Sequence, residues 1–334
     1  MTAGPVTAVL PGLDPTTAQS LAEGLRRVEA FLSERVRHED EFIAGASGHL
    51  LAAGGKRMRP VLTLLSAEVG EGINDDVIAA AAAVELIHLA SLYHDDVMDE
   101  ASLRRGAPSA NAEYGNSTAI LVGDLLFGNA SDVVADLGPD AVRIQAQTFM
   151  RLCSGQIRDD RPCPQGTDPV EYYLDVLRDK TGSLIATAAR FGAMFGGCEP
   201  ATVEVLRRYG ELLGIAFQLA DDLLDIDSRS GVSGKTPGTD LREGVETLPV
   251  LLLRRNPREG DERLLELLDR DLSADEDAVA EALSLLRSHP AMEEAREATR
   301  GVARQAQDLL DALPDGPAVV ALKAFAASVV DRAV

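Results

Sequence analysis

Apolar residues recur at helical spacing along most of this chain. In residues 21–38 they fall three and four positions apart, so that they line one face of a helix. Residues 77–99 and 203–227 form longer apolar segments, and the first is rich in alanine, as buried helices often are. No stretch sustains the alternation of polar and β-branched apolar residues that is typical of strands. The pattern therefore predicts an all-α fold.

Glycine and proline punctuate the helical segments without forming a long linker. We therefore expect one domain over residues 1–334, with a motif-bearing core at about residues 54–249 and C-terminal helices at about residues 260–334. In the last part, Ser273 and Glu276 have the spacing of a capping box, which predicts Ser273 as a helix N-cap.

Composition narrows the function. The chain has 54 acidic and 32 basic residues, a formal net charge of −22, which argues against a nucleic-acid partner because such binding needs Lys and Arg to neutralise phosphates. Three cysteines without a CxxC pair favour a reducing compartment. The chain opens without a basic, apolar leader, and charged residues such as Glu85 and Asp124 interrupt its apolar runs. We therefore expect a cytoplasmic protein without a transmembrane segment.

One acidic pattern occurs twice, as "DDVMD" and "DDLLD", each near the end of an apolar helical segment. Asp95 and Asp99 are four residues apart and share a helix face, where like charges are mildly destabilising. A solvated helix end would explain one such motif. Two of them favour a site whose carboxylate oxygens bind Mg²⁺. The candidate ligands are Asp95, Asp96, Asp99, Asp221, Asp222 and Asp225.

Basic residues supply a second kind of candidate. In "GGKRMRP", Lys56 and Arg59 follow a glycine turn and precede a helix, and such a helix N-terminus with Lys and Arg can bind a phosphate. A solubilising loop is the alternative. The stretch "SRSGVSGKTPGTD" is not a P-loop, because its glycine spacing differs and no strand precedes it. The remaining basic candidates are Arg104, Arg105, Lys180 and Lys235.

Taken in order, "GGKRMRP", "LIHLASLYHDDVMDEASLRRGAPSAN", "DKTGSL", "GIAFQLADDLLDID" and "GKTPGTDLREGVETLP" resemble the trans-polyprenyl diphosphate synthases, most of all the bacterial long-chain type. The resemblance implies the isoprenoid synthase fold, an antiparallel helix bundle around a deep central cavity with the two acidic motifs facing each other at its mouth, usually in a homodimer. It implies isopentenyl diphosphate and an allylic prenyl diphosphate as substrates, joined head to tail into an all-trans chain. Peripheral membrane contact during product release is compatible with this class.

The resemblance also implies three Mg²⁺ ions and a role for each motif. The implied catalytic residues are Lys180, Thr181, Gln218, Asp95 and Asp221. The residues implied for the allylic diphosphate are Arg104, Lys180, Thr181, Gln218 and Lys235. Those implied for isopentenyl diphosphate are Lys56, Arg59, His88 and Arg105. A core histidine is the alternative for His88, which lies two turns before Asp95 on the same predicted helix face.

The implied chemistry is electrostatic. Ionisation of the allylic carbon–oxygen bond leaves negative charge on diphosphate, which Mg²⁺ and cationic side chains stabilise. Thr181 and Gln218 are expected to direct acceptor dipoles at the allylic cation. A proton then leaves to the departed diphosphate, so no side-chain base is expected, and the sequence shows no Ser/His/Asp or Cys/His constellation.

Three other functions are close to this one. A class I terpene cyclase shares the fold and one acidic motif, but it would not need "GGKRMRP" and normally has a second motif that is not all aspartate. A non-catalytic partner subunit usually lacks one of the two motifs, and both are intact here. A geranylgeranyl or farnesyl diphosphate synthase differs only in product length.

Product length is predicted from the residues that precede the first acidic motif. The hydrocarbon tail is expected to run from Asp95 back along its helix past Ser91 and Ala90, which are too small to close a channel. This favours products longer than geranylgeranyl diphosphate. The candidates for the floor of the channel are Leu125, Leu126 and Phe127.

Overall fold

A computed structural model describes residues 13–227 and 237–330. Helices dominate these residues, and one short hairpin is the strand structure among them. The elements are α1 Pro15–Arg35, α2 Glu41–Ala52, α3 Met58–Ala67, α4 Asp75–Met98, β1 Leu103–Arg104, β2 Ala107–Pro108, α5 Ala110–Tyr114, α6 Asn116–Asp136, α7 Pro139–Asp159, α8 Pro169–Leu177, a π-helical turn Arg178–Gly182, α9 Ser183–Phe195, α10 Pro200–Asp227, α11 Thr239–Glu243, α12 Leu248–Arg255, α13 Glu262–Leu268, α14 Glu276–Ser288, α15 Pro290–Leu309, a 3₁₀ turn Leu310–Ala312 and α16 Pro317–Val330. The predicted all-α class is confirmed.

The chain divides into two compact units. The first unit comprises Met1–Met150, Leu184–Gly210 and Leu309–Phe325. The second unit comprises Arg151–Ser183, Glu211–Asp308 and Ala326–Val334. The first acidic motif belongs to the first unit and the second acidic motif to the second unit. The single domain expected from the sequence stays a prediction.

Helix α4 is the central element of the first unit, and it packs against α1, α3 and α6. Its alanine run, residues 80–83, is fully buried. Small side chains allow neighbouring helices to approach closely, so the apolar, alanine-rich pattern of this segment has a direct packing explanation. Asn74 caps the helix, because its side chain accepts the N–H of Val77 at 2.9 Å. The buried helix predicted from the sequence is therefore present.

Two helices of the first unit, α4 with a mean hydropathy of 1.5 and α6 with 1.3, are long and apolar enough to cross a membrane. The sequence analysis expected Glu85 and Asp124 to keep every apolar run below the length of a membrane span, and by length and composition alone these two helices exceed that expectation. In α4, 72% of the most apolar 18-residue window is buried among other elements, as in the core helix of a soluble protein; in α6 the share is 39%.

The second unit has its own apolar core. Residues 211–227 of α10 contribute Leu219 and Leu223, which pack with leucines of α12 and α14. Leu253 and Leu286 are fully buried there. Burial of leucine side chains at about 25 cal/mol per Å² is the main stabilising term for a core of this kind.

The hairpin after α4 depends on the backbone conformation of its two turn residues, Arg105 and Gly106. Leu103 pairs with Pro108 and Arg104 with Ala107 in an antiparallel register. Arg105 and Gly106 between them have φ of 55° and 79°. Two successive left-handed residues form the type of turn that matches the natural twist of a two-residue hairpin. Arg105 therefore adopts a backbone conformation that is unusual for a side-chain-bearing residue.

The predicted N-cap of α14 is wrong. The helix begins at Glu276, and Asp275 caps it by accepting the N–H of Ala278 at 3.0 Å. A carboxylate near a helix N-terminus also interacts favourably with the helix dipole, which a serine hydroxyl cannot match. The backbone N–H of Ser273 instead donates to Asp271 at 2.9 Å.

Glycine permits a close backbone contact between α9 and α3 in the first unit. A Cβ on Gly192 would lie 2.0 Å from the carbonyl oxygen of Thr63 and 2.9 Å from Cβ of Ser66. The contact involves backbone, so no side-chain rotation can relieve it. The two helices must separate if this position carries any other residue.

We expect Gly192→Ala to lower the free energy of unfolding by about 1–3 kcal/mol through overpacking. Gly301→Ala is the matched control, because its Cβ would meet only Nη2 of Arg304 at 3.9 Å. That control gains helix propensity, so it should be as stable as the parent or up to about 1 kcal/mol more stable. Urea unfolding followed by circular dichroism measures both. Equal stability of the two variants would contradict the close contact.

Candidate active site

The first acidic motif lies at the C-terminal end of α4, as predicted. Asp96 is completely buried, and Arg104 Nε donates to its Oδ1 at 2.6 Å. The other oxygen, Oδ2, is buried without a hydrogen-bond partner in the described structure. Asp99 is the C-cap residue, half exposed, with Nη2 of Arg104 at 3.8 Å from its Oδ2. Arg104, expected from the resemblance to contact the allylic diphosphate, bonds an aspartate of the motif here.

The "GGKRMRP" segment is a strained turn that leads into α3. Gly54 and Gly55 have φ of 86° and 146°, and Arg57 has φ of 49°. Arg105 Nη1 donates to the carbonyl oxygens of Leu50, at 2.9 Å, and Gly54. A Cβ on Gly55 would lie 3.0 Å from Cζ of Arg105. Glycine is therefore required where the Arg105 guanidinium rests on this turn.

Arg57 is a structural residue that was not among the site residues predicted from the sequence. Its side chain is only 4% exposed and lies between two carboxylates. Nε donates to Glu29 Oε1 at 2.6 Å, and Nη1 donates to Glu85 Oε1 at 3.1 Å. The only sequence signal was Glu85 itself, a charged residue inside an apolar helix.

Cationic side chains converge near His88. Arg59 Nε is buried and has no hydrogen-bond partner in the described structure. Burial lowers the pKa of Arg59, the Glu85 carboxylate opposes this, and Arg105 adds to the lowering. The pKa of His88 lies well below its usual value. Burial is the largest cause, and the positive charges of nearby arginines add to it: Arg59, Arg105, Arg57 and Arg104. His88 is therefore neutral at pH 7 in this cluster.

The N-terminus of α3 adds to this positive region. No side chain caps the helix, because the N-cap position is occupied by Arg57. Free N–H groups and the positive end of the helix dipole favour an anion there. Lys56 is exposed on the preceding turn. Three of the residues that the sequence resemblance implied for isopentenyl diphosphate, Arg59, His88 and Arg105, thus share one electropositive environment.

The second acidic motif lies at the C-terminal end of α10, again as predicted. Asp222 is buried; the Tyr173 hydroxyl donates to its Oδ2, and Gln218 Nε2 donates to its Oδ1 at 2.9 Å. Burial raises the pKa of Asp222 to about 6 against these two hydrogen bonds, and Asp221 adds to the rise. Tyr173 could not be recognised from the sequence, because no motif marks it.

Asp225 has a different neighbourhood from Asp222. Its carboxylate accepts the backbone N–H groups of Thr239 at 3.2 Å and Asp240 at 3.1 Å. These groups begin α11, so Asp225 satisfies the N-terminal donors of that helix. Within residues 13–227 and 237–330, no group of three or more His, Cys, Asp or Glu side chains is arranged to hold a metal ion.

The π-helical turn carries two more of the predicted site residues. Lys180 Nζ lies 2.5 Å from Oδ2 of Asp159, a partner that the sequence did not indicate. Thr181 Oγ1 donates to Gln218 Oε1 at 3.3 Å. Because Gln218 also donates to Asp222, a hydrogen-bonded series joins the turn to the second acidic motif. Lys235 lies outside the described residues.

The residues expected to border the hydrocarbon tail occupy α4. Ala90 is buried, and the half-buried Ser91 donates its hydroxyl to the carbonyl oxygen of His88 at 2.9 Å. Among the floor candidates on α6, Leu126 is fully buried and Leu125 is 38% exposed. The Phe127 ring lies against that of Phe149, with centroids 3.9 Å apart.

Comparison with known proteins defines the family. Residues 40–286 match the Polyprenyl synthetase family, so the chain belongs to it. Nonaprenyl diphosphate synthase of Mycobacterium tuberculosis is 48% identical over 320 residues, covering 96% of this chain and 95% of that protein. The structure of geranylgeranyl pyrophosphate synthase from Corynebacterium glutamicum, complexed with calcium and isoprenyl diphosphate, has a TM-score of 0.85 and 41% identity, covering 96% of this chain and 98% of that one.

A decaprenyl diphosphate synthase from Rhodobacter capsulatus gives a TM-score of 0.86 and 35% identity, covering 96% of this chain and 99% of that chain. The resemblance drawn from the sequence motifs is thereby confirmed, and with it the all-α isoprenoid synthase fold.

The low pKa of His88 predicts a pH dependence of stability. Below its ordinary pKa of about 6.5 the unfolded chain binds a proton at this residue and the folded chain does not. The free energy of unfolding should therefore fall with decreasing pH, by up to about 1.4 kcal/mol per pH unit from this group. His88→Gln should remove that component, whereas His38→Gln, on an exposed residue, should keep it. Urea unfolding at a series of pH values between about 5 and 7 measures the slopes. If the free energy of unfolding of His88→Gln depended on pH as steeply as that of the parent, the lowered pKa of His88 would be contradicted.

Proposed function

We propose that this protein is a trans-prenyltransferase that condenses an allylic diphosphate with isopentenyl diphosphate into an all-trans polyprenyl diphosphate longer than geranylgeranyl diphosphate. The observation that carries the proposal is the 48% identity to a nonaprenyl diphosphate synthase over 96% of the chain. Both acidic motifs and the basic "GGKRMRP" segment lie within this length. A geranylgeranyl diphosphate synthase is the second candidate, favoured by the 41% identity to the Corynebacterium glutamicum enzyme.

The arginines around His88, which are Arg57, Arg59, Arg104 and Arg105, form the cation cluster of the first unit. Isopentenyl diphosphate is assigned to this cluster. The cluster holds more guanidinium charge than its two carboxylates, Glu29 and Glu85, can balance. A diphosphate supplies the missing negative charge, and charge-assisted hydrogen bonds to Lys and Arg hold it strongly. The residues we assign to it are Lys56, Arg59, His88 and Arg105.

The allylic diphosphate is assigned to Arg104, Lys180 and Lys235, together with Mg²⁺ on the aspartates. The donor set suits a hard divalent cation because it is made of carboxylate oxygens. Among residues 13–227 and 237–330, Asp96 keeps one buried oxygen without a hydrogen-bond partner, and burial raises the pKa of Asp222 to about 6. A cation beside either group would relieve a charge that the protein leaves poorly stabilised. We propose three ions, held by Asp95, Asp96, Asp99, Asp221, Asp222 and Asp225.

Bound Mg²⁺ supplies positive charge to the diphosphate leaving group. The carbon–oxygen bond of the allylic substrate breaks with its electron pair going to diphosphate. The Thr181 hydroxyl and the Gln218 amide oxygen offer acceptor dipoles to the allylic cation, and Asp222 orients Gln218 by accepting its N–H at 2.9 Å. The double bond of isopentenyl diphosphate then forms the new carbon–carbon bond, and a proton is lost to the departed diphosphate.

Homodimer formation and a cytoplasmic location belong to the same proposal. Helix α6 exposes Ile120, Leu121 and Leu125, with 43%, 67% and 38% of their surfaces accessible. Large apolar side chains exposed together on one helix commonly mark a protein interface. An interface on this helix would also cover a segment that is apolar enough for a membrane but only partly buried.

We expect Asp95→Ala and Asp221→Ala each to reduce kcat by about a hundredfold or more, because each removes negative charge that holds the cation beside the leaving group. Circular dichroism should show the parent helix content. Asp136→Ala, an exposed residue at the end of α6, is the control and should keep parental activity. Turnover is measured with labelled isopentenyl diphosphate over a range of Mg²⁺ concentrations. Near-parental rates in either site variant would remove the metal assignment.

We expect Ala90→Phe to shorten the product toward farnesyl or geranylgeranyl diphosphate. A phenyl ring would project from α4 about 7.5 Å along the helix from Asp95, at the usual rise of 1.5 Å per residue. Mass spectrometry of products measures the chain length, and Ser91→Phe tests the adjacent position. Overpacking should cost about 1–3 kcal/mol, so unfolding is measured in parallel. A folded, active Ala90→Phe enzyme with the parental product would overturn the channel assignment.

A further inference from the structure

The π-helical turn Arg178–Gly182 separates α8 from α9 and carries Lys180 and Thr181. A π-helical turn is wider than an α-helical one and is less stable, and such turns are frequent at functional sites. Something outside the turn must therefore keep its backbone in this form. The neighbouring helices of the second unit provide that support.

One face of α7 is built to fit the turn. Arg151, Gly155 and Arg158 are spaced four and three residues apart, so they share this face. Arg151 Nε donates to Asp179 Oδ1 at 2.8 Å, and Arg158 Nη2 donates to Asp179 Oδ2. A Cβ on Gly155 would lie 2.4 Å from the backbone nitrogen of Lys180. Both oxygens of Asp179 are thus held while the backbone of the turn rests directly on α7.

Helix α10 holds the turn from another direction. Arg151 Nη2 donates to Glu211 Oε1 at 2.7 Å, so one guanidinium joins the turn to α10. A Cβ on Gly182 would lie 3.2 Å from the carbonyl oxygen of Glu211. Ser183 Oγ donates to the carbonyl oxygen of Asp179 at 2.6 Å. The turn is consequently held by side chains and by backbone packing.

These contacts form an arginine clamp, which consists of Arg151, Arg158, Asp179 and Glu211. Their formal charges cancel, in contrast to the cation cluster of the first unit. Each carboxylate already accepts at least one guanidinium, and the Asp179 and Glu211 side chains are 23% and 19% exposed. A balanced, partly buried cluster of this kind has no charge left for a substrate, which makes it a support for neighbouring groups.

We propose that Arg151 is a positioning residue that holds the π-helical turn between Asp179 and Glu211, and thereby fixes Lys180 and Thr181 for the allylic substrate. The inference rests on the proposed function, which assigns those two residues to the allylic diphosphate and cation. Lys180 follows Asp179 directly, so a shift of the Asp179 carboxylate moves the backbone that carries the Lys180 ammonium. A misplacement of about 1 Å in such a group can cost a hundredfold in rate.

The test begins with Arg151→Met, which keeps an unbranched side chain but removes both ion pairs. We expect kcat per folded molecule to fall about ten- to a hundredfold. The KM for isopentenyl diphosphate should stay within about twofold of the parent, because its pocket is in the first unit. Arg151→Lys keeps the charge but lacks the planar, forked donors of the guanidinium, so it should recover only part of the rate.

Arg263→Met is the matched control. Arg263 also joins two carboxylates, Glu266 and Glu281, on α13 and α14 of the second unit. The Arg263→Met variant should leave kcat and both KM values unchanged. Arg151→Met takes the guanidinium away from the Glu211 carboxylate. The double variant Arg151→Met/Glu211→Gln also removes the negative charge of Glu211. It should recover thermal stability but not kcat. Recovery of kcat along with stability would show a purely structural role and overturn the inference.

Lys180→Ala, measured in parallel, separates this inference from the proposed function. A large loss of kcat in Lys180→Ala with a parental kcat in Arg151→Met would reject the positioning role and leave the proposed function intact. A parental rate in Lys180→Ala would reject the assigned role of Lys180 itself, and with it the basis of the inference. Losses in both variants, with isopentenyl diphosphate binding preserved in Arg151→Met, support the proposal.

Discussion

The ion pair between Arg57 and Glu85 is the interaction on which the cation cluster of the first unit depends. The Glu85 side chain is 2% exposed and lies 3.1 Å from Nη1 of Arg57. A buried carboxylate without a partner would destabilise α4 strongly, and so would guanidinium groups held together without a negative charge. Glu85 opposes the lowering of the Arg59 and Arg105 pKa values that burial causes. One buried carboxylate therefore offsets part of the electrostatic cost of holding several arginines close together.

Carboxylates face the opposite problem at the ends of α4 and α10. Asp96 is balanced by Arg104, while the donors to Asp222 within the described part of the chain are the neutral groups of Tyr173 and Gln218. Neutral hydrogen bonds stabilise a charge less than an ion pair does, so burial still raises the pKa of Asp222 to about 6. Both units thus contain charges that weaken the local fold. Departures of this kind from local stability rules are expected where a protein binds substrate.

Much of the fold could be predicted because helix periodicity is a local property. The buried α4, the long α10 and the acidic motifs at their ends all followed from the spacing of apolar and acidic residues. The N-cap of α14 was wrong, because Ser273 and Asp275 are equally plausible caps by local pattern. The family resemblance was confirmed, whereas the assigned site residues, the metal count and the single domain stay predictions.

The sequence by itself determined the all-α class and the family, because both depend on short-range order: residue spacing within a helix and motifs read in succession. Only the tertiary structure decided which basic residues pair with carboxylates of other helices and which do not. Arg57 and Arg59 are two positions apart and look alike in the sequence. Arg57 is neutralised by Glu29 and Glu85, each 28 residues away, while Arg59 has a buried Nε without a hydrogen-bond partner in the described structure. Burial and long-range charge pairing set these roles, and neither is a local property of the chain.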